Sequence, residues 1–229
     1  MVISSNTYWR EIRDDLLSHG ISERRLLIPE NGNLFAWSQN QYFDVFDPEN
    51  DEVFVDGGSY NGDTARQFTR WCSNRYERMY LIEPGEDGMR AIADRYGENS
   101  KAELVKCALW DKEASLSIFI DGYSSKVSES VEHITDRHGF IEGKRLDDIV
   151  GDRRVTFIKL DVEGSEMEAL RGAEKTIRRC HPRLAVSVYH KERDLIDIPE
   201  YISANYPEYR LWLRHYSSSA LETVLYASL

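Results

Sequence analysis

Cysteine and proline are scarce in this 229-residue chain, with three and six respectively, and no long apolar run occurs. Cys72, Cys107 and Cys180 are odd in number, widely separated and without a CxxC pair. That supports neither a disulfide framework nor a structural zinc site, and fits thiols buried in a reducing compartment. No stretch approaches the roughly 18 consecutive apolar residues of a membrane span. The segment from Met1 to Leu17 carries Arg10, Arg13 and three acids within its apolar stripe, so it lacks a signal-peptide core. The expectation is a cytoplasmic protein without membrane insertion. Basic residues are also short, 29 Lys plus Arg against 40 Asp plus Glu, for a formal charge of −11. Nucleic acid and anionic membranes are therefore poor partners, since both need clustered Lys and Arg. With 41% hydrophobic residues the chain can bury a core, and its length suits one domain, as cores split only beyond roughly 250–300 residues.

What is present alternates. Residues 1–51 read as an N-terminal accessory segment. Thr7 can cap a helix with Trp9, Ile12, Leu16 and Leu17 on one face, ending near Gly20. An Asn- and Gly-rich loop follows at Glu30–Asn33, then aromatics at Tyr42, Phe43 and Phe46. Residues 52–229 read as the main domain. Strands are expected at Val53–Asp56, Met79–Glu83, Glu103–Cys107, Val155–Asp161 and Arg183–Tyr189. Helices fall between them at Asp63–Ser73, Gly85–Tyr96 and Ser165–Arg179, with another near Leu195–Asn205. Two last strands, Tyr209–His215 and Glu222–Ala227, close the chain. This is the pattern of a doubly wound α/β sheet. An insertion at about 111–145 holds one alternating strand, Ser115–Ile120, and a polar loop, Asp121–Gly143, with His133 and His138.

The chemistry concentrates at three strand ends. Val53–Asp56 runs into Gly57-Gly58-Ser59-Tyr60-Asn61-Gly62-Asp63-Thr64, a glycine-rich turn that opens a helix. Its spacing, D-x-G-x-x-x-G, differs from the G-x-G-x-x-G dinucleotide fingerprint. An acid before the glycines suits a ligand with an ammonium group, as on the methionine tail of S-adenosylmethionine (SAM). Glu83, followed by Pro84, ends the second strand, where an acid can accept both ribose hydroxyls of an adenosine. Phe157-Ile158-Lys159-Leu160 delivers Asp161 and Glu163 to the carboxyl edge, where open α/β sheets bind ligands.

The run Ile158-Lys159-Leu160-Asp161-Val162-Glu163-Gly164-Ser165-Glu166, then Leu170-Arg171-Gly172-Ala173, preceded by Arg145-Leu146-Asp147-Asp148-Ile149, resembles the FkbM family of SAM-dependent methyltransferases. With the glycine turn and Ile82-Glu83-Pro84, the resemblance covers roughly residues 52–190. It implies a Rossmann-like class I methyltransferase fold: a mostly parallel seven-stranded sheet with an antiparallel last strand, helices on both faces and an accessory N-terminal helix. It also implies that the turn from Asp56 to Thr64 (Asp56, Gly57, Gly58, Ser59, Tyr60, Asn61, Gly62, Asp63, Thr64) binds SAM. Asp56, Gly58 and Gly62 fall at its methionine end, Glu83 and Pro84 at the ribose, and Ala108 beside the adenine. Asp161 would orient the methionine or the acceptor. Two departures stand out: Trp110 replaces a small polar residue, and Gly57 a bulky apolar one.

Transfer to a hydroxyl requires removal of its proton, and a His, with an unperturbed pKa of about 6.5, suits that task. His190 and His215 each end a strand. If those strands run parallel to the one ending at Asp161, both converge with Asp161 as catalytic candidates. Asp161, Glu163 and His190 are also the candidates for a divalent Mg²⁺ or Mn²⁺, which no spacing motif compels. The expected activity is SAM-dependent O-methylation of a hydroxyl on a sugar or other polar metabolite, with Tyr60, Tyr123 and Tyr189 as lining candidates. N-methylation of a small amine, an NAD(P)-dependent oxidoreductase and a non-catalytic SAM-binding subunit are the alternatives. Seven acids between Asn40 and Ala65 (Asp44, Asp47, Glu49, Asp51, Glu52, Asp56, Asp63) face no Lys or Arg in that stretch. They suggest a site edge whose potential favours a cationic cofactor.

Overall fold

The computed structural model describes residues 9–22, 41–121, 124–129, 138–217 and 221–229. In chain order the elements begin with α1 (Trp9–Ser18), β1 (Glu52–Gly57), α2 (Asp63–Trp71), β2 (Tyr76–Ile82), α3 (Glu86–Tyr96) and β3 (Ala102–Val105). The insertion supplies β4 (Ala108–Leu109), β5 (Ala114–Asp121), β6 (Ser124–Ser128) and β7 (His138–Lys144). There follow α4 (Leu146–Val150), β8 (Phe157–Leu160), α5 (Glu166–Gly172), α6 (Glu174–Cys180), β9 (Arg183–Ser187), α7 (Asp194–Asn205), β10 (Arg210–His215) and β11 (Thr223–Ser228). Thr7, the loop at Glu30–Asn33, Tyr123 and His133 lie outside the described residues.

The main sheet has seven strands in the order β10-β11-β9-β8-β1-β2-β3. All are parallel except β11, which pairs antiparallel with both β9 and β10. This is the expected mostly parallel sheet with its antiparallel last strand. Central strands must be apolar on both faces, because helices cover both. β1 shows it: Val53 and Val55 pack into one core with Leu170, Ile177 and Ile202. Phe54 packs into the other with Phe68, Ile92 and Tyr96. Phe54 stacks on Phe68 with centroids 4.3 Å apart. Phe43 and Phe46, which precede the sheet, join that second core against Phe157, at 5.4 and 6.0 Å.

Two sequence expectations are corrected. The segment 121–143 is not simply a polar loop: β6 and β7 flank β5 in a second, four-stranded sheet, β4-β7-β5-β6. Its outer face meets solvent, as at Phe140, so its strands lack the apolar run that marks a buried one. The helix read as Ser165–Arg179 is two helices, broken at Ala173 (φ −104°, ψ 4°). Gly172 presses α5 onto the backbone after β4, where an added Cβ would lie 2.0 Å from the Trp110 carbonyl oxygen. The carboxylate of Asp147 then accepts the Lys175 and Thr176 N–H groups, at 3.1 and 2.8 Å, and so caps the new helix start.

Candidate active site

β1 and β8 are neighbours, but the chain leaves them toward opposite sides of the sheet, β1 to β2 and β8 to β9. A crevice opens at such a switch point. Here it is a cavity of about 240 Å³ lined by Gly58, Tyr60, Glu83, Pro84, Ala108, Asp161, Glu163, Tyr189 and Glu222, among others.

The floor is set by close backbone approach. Gly58 has φ +76°, and a Cβ there would stand 1.8 Å from the Asp161 carbonyl oxygen. Only glycine allows the two strand ends to meet this way. Gly57 also has no room to spare, since a Cβ would meet Leu109 Cδ1 at 2.8 Å and Leu160 Cδ2 at 3.0 Å. The bulky apolar residue expected at that place is supplied by these two neighbours instead. Gly62, at φ +76°, precedes α2 beneath the Tyr96 ring.

Glu83 is buried at the end of β2. Its Oε2 accepts the Tyr60 N–H at 2.9 Å and its Oε1 the Gly85 N–H at 2.7 Å. Burial raises its pKa, against the pull of those two donors. Each oxygen keeps a lone pair, so the carboxylate can still accept hydroxyl groups. Gly88 of α3 leaves the space that Glu83 fills, as a Cβ there would touch Glu83 Cγ at 2.7 Å.

On the opposite wall Asp161 is held by two phenols. Tyr42 donates to its Oδ2 at 2.9 Å and Tyr189 to its Oδ1 at 3.3 Å. Burial, reinforced by the Asp161 charge, drives both phenol pKa values up, so both remain donors. His190 lies behind, with Nε2 at 3.5 Å from Asp161 Oδ1 and 3.6 Å from Glu163 Oε2, and Nδ1 at 2.9 Å from Glu166 Oε1. Burial disfavours its charged form, but Glu166, Asp161 and Glu163 together outweigh that and raise its pKa. Glu163 reaches the cavity from a left-handed backbone, φ +56°. Glu222 enters from the start of β11, and Gln41 donates to its Oε2 at 2.6 Å.

Beneath the floor, Asp56 and Lys159 form an ion pair at 3.0 Å, with side chains 0% and 1% exposed. Lys159 Nζ also donates to the Gly57 and Gly58 carbonyls, at 3.1 and 2.8 Å. Burial opposes its charge, yet Asp56, Asp161 and Glu83 hold it protonated.

Of the residues singled out in the sequence, Gly58, Tyr60, Glu83, Pro84, Ala108, Asp161, Glu163 and Tyr189 line one cavity. Asp56 does not: it is sealed under the turn, where it neutralises Lys159. Ser59 is buried and donates to the Asp56 carbonyl. Asn61 bonds Asp63, and Asp63 pairs with Arg66 and Arg95 outside the cavity. Thr64 sits in the first turn of α2. His215 corrects the expected convergence. β10 does run parallel to β9, but two strands farther out, and His215 is exposed there with Nδ1 2.8 Å from Thr223 Oγ1.

The acidic stretch is corrected as well. Five of its seven acids meet cations from elsewhere: Asp44 meets Arg214, Glu49 meets Arg154, Glu52 meets Arg183, Asp56 meets Lys159 and Asp63 meets Arg95. The carboxylates that face the cavity are Glu83, Asp161, Glu163 and Glu222. Sequence reasoning missed Tyr42, Lys159, Glu166 and Glu222. A lysine inside an otherwise apolar strand was a usable signal for Lys159, because a buried ammonium requires a partner.

Residues 56–218, more than half of the chain, match the Methyltransferase FkbM domain. Among solved structures, the FkbM methyltransferase from Methylobacillus flagellatus KT is 27% identical and superposes with a TM-score of 0.68, over 82% of this chain and 47% of its own. The chain thus spans about half the length of that protein. A Streptococcus mutans protein assigned as a methyltransferase, in complex with SAH, is 10% identical with a TM-score of 0.50, over 79% of this chain and 90% of its own. That is a likeness of fold. No curated protein matches the chain.

Proposed function

The chain belongs to the FkbM methyltransferase family, and from that premise we propose that it is a SAM-dependent O-methyltransferase acting on a hydroxyl of a sugar or other polar metabolite. The observation that carries the proposal is the meeting, in one cavity at the sheet's carboxyl edge, of the Gly58 turn, Glu83 and the Asp161–Glu163 pair. The residues fit the cofactor: the glycine floor leaves backbone open to a ligand, and Glu83 retains acceptor capacity for ribose hydroxyls. Gly58 and Tyr60 would hold the methionine end, Glu83 and Pro84 the ribose, and Ala108 the adenine. The Streptococcus mutans neighbour of the same fold carries SAH, which supports this choice.

When bound, SAM supplies a methyl group activated on a sulfonium. The chain's own residues must then align the acceptor oxygen and receive its proton. We assign that role to Asp161, which lines the cavity with its carboxylate oriented by Tyr42 and Tyr189. His190 stands behind it as a positioning residue, with Nε2 3.5 Å from Asp161 Oδ1. The described residues 41–50 and the β5–β7 sheet border the cavity through Tyr42 and Val127, so they are the candidates to shape the acceptor site.

One observation favours a second reading, N-methylation of a small amine. Four carboxylates line the cavity and, among the described lining residues, no Lys or Arg does. A cationic acceptor would be attracted there. The deciding experiment incubates the protein with isotopically labelled SAM and a metabolite extract, then identifies labelled products by mass spectrometry. A labelled ether supports O-methylation, and a labelled amine supports the second reading. Loss of one positioned proton acceptor should lower turnover by about 10²–10⁴-fold in Asp161→Asn, with SAM still bound. His215→Ala should leave turnover unchanged; a comparable loss there would overturn the assignment.

A further inference from the structure

Asp161 and Glu163 line the cavity, and His190 and Glu166 stand behind them. Asp161, Glu166 and His190 each bring one metal-ligand type of atom within 4.8 Å of the others. His190 has only 8% of its side chain exposed, with Nδ1 2.9 Å from Glu166 Oε1, and its Nε2 makes no hydrogen bond. Its Nε2 contacts, 3.5 Å to Asp161 Oδ1 and 3.6 Å to Glu163 Oε2, are too long to be hydrogen bonds. Glu166 is buried too: its Oε1 accepts the Val162 and Gly164 N–H groups at 2.9 and 3.4 Å, and its Oε2 has no partner. Buried polar atoms are nearly always satisfied, so this group points to a ligand.

The spacing identifies its class. Ligand atoms about 2.1 Å from a small divalent cation stand roughly 3.0–3.4 Å from one another. The His190 Nε2 contacts exceed that by only a few tenths of an ångström. We propose that His190 Nε2, Asp161 and Glu163 form a binding site for a divalent cation of the Mn²⁺ type, with Glu166 orienting the imidazole from behind. An imidazole with two carboxylates is a mixed nitrogen and oxygen set, which suits Mn²⁺ or Fe²⁺ better than Ca²⁺. A carboxylate on the far nitrogen of a ligating His is the usual outer partner of such sites. Asp161 and Glu163 line the cavity, so the cation would face the acceptor and polarise its oxygen. That use rests on the methyltransferase reading, whereas the binding does not.

The test is titration of the metal-stripped full chain with MnCl₂, followed by calorimetry and by pulsed electron paramagnetic resonance. One Mn²⁺ per chain with a nitrogen coupling from an imidazole is expected. His190→Ala should abolish the coupling. Glu166→Gln, an outer-partner change, should weaken binding about 10–100-fold. Glu163→Gln, at a side chain 34% exposed and so tolerant of change, should weaken it by at least as much with an unaltered melting curve. Asp152→Asn, at an exposed position, should bind Mn²⁺ as the unsubstituted chain does. No Mn²⁺ uptake, uptake without nitrogen coupling, or unchanged affinity in Glu163→Gln would overturn the site. SAM calorimetry on the same samples separates the two ideas. SAM binding without Mn²⁺ defeats the cation site alone, and Mn²⁺ binding without SAM defeats the methyltransferase reading alone.

Discussion

Lys159→Met is the sharpest perturbation of the cavity floor. The substitution keeps the length and apolar stem of the side chain but removes the ammonium that Asp56 and the Gly57 and Gly58 carbonyls share. Breaking a buried pair by removing one partner costs about 3–5 kcal/mol. Asp56 has an escape, because it can fold protonated. The price of that proton at pH 7, for an unfolded carboxyl near pKa 3.9, is about 1.36 kcal/mol per unit, or about 4 kcal/mol. The loss at pH 7 should therefore be near 4 kcal/mol, and about 1.5 kcal/mol at pH 5. The sign follows from burial. Burial already raises the folded Asp56 pKa against the pull of Lys159, and without the ammonium it rises further, so the folded state binds the proton more tightly than the unfolded one. Its contribution is fully present below the unfolded pKa and is lost as pH rises above it. Urea unfolding of both chains at pH 7 and pH 5 measures this directly. Asp56→Asn combined with Lys159→Met should remove the pH dependence of the difference. A loss under about 1 kcal/mol at pH 7, or one independent of pH, would refute the buried pair.

Gly58→Ala must place a left-handed alanine, at about 1–2 kcal/mol, and a Cβ against the Asp161 carbonyl; calorimetry should show SAM binding lost while far-ultraviolet circular dichroism is retained. Asp147→Ala removes the acceptor of two N–H groups at the start of α6, and its unfolding midpoint should fall by the equivalent of about 1–2 kcal/mol. Burial pushes the Cys107 thiol up to about 12, so at pH 8 almost none is thiolate, the form that alkylates. Peptide mapping after iodoacetamide should find Cys180 labelled in the native protein and Cys107 only after unfolding; equal rates would contradict the burial of Cys107.

The sheet was legible because its period and its punctuation agree. β1, β2, β8 and β9 are short, largely apolar runs with an acid, a glycine or a histidine at or just beyond their ends, and a buried parallel strand has to read that way. That Gly58, Glu83 and Asp161 line one cavity was legible for the same reason, since they sit at strand ends on the carboxyl edge. Tyr42 was not, because its bond to Asp161 spans 119 positions and no local pattern encodes it. Glu222 enters by the same long-range route. Asp56 does not line the cavity despite its place beside the glycines. The structure turns its side chain under the floor, where Lys159 from the neighbouring strand requires it. β6 and β7 escaped notice because a sheet with one wet face can be built largely from polar residues.

We propose that the crevice between β1 and β8 binds SAM through Glu83 and the Gly58 turn. Isothermal titration of the full chain with SAM, and separately with NAD, tests it most directly. The prediction is one SAM per chain, no measurable NAD, and a weakened SAM affinity in Glu83→Gln. Preference for NAD, or SAM affinity indifferent to Glu83, would contradict the account.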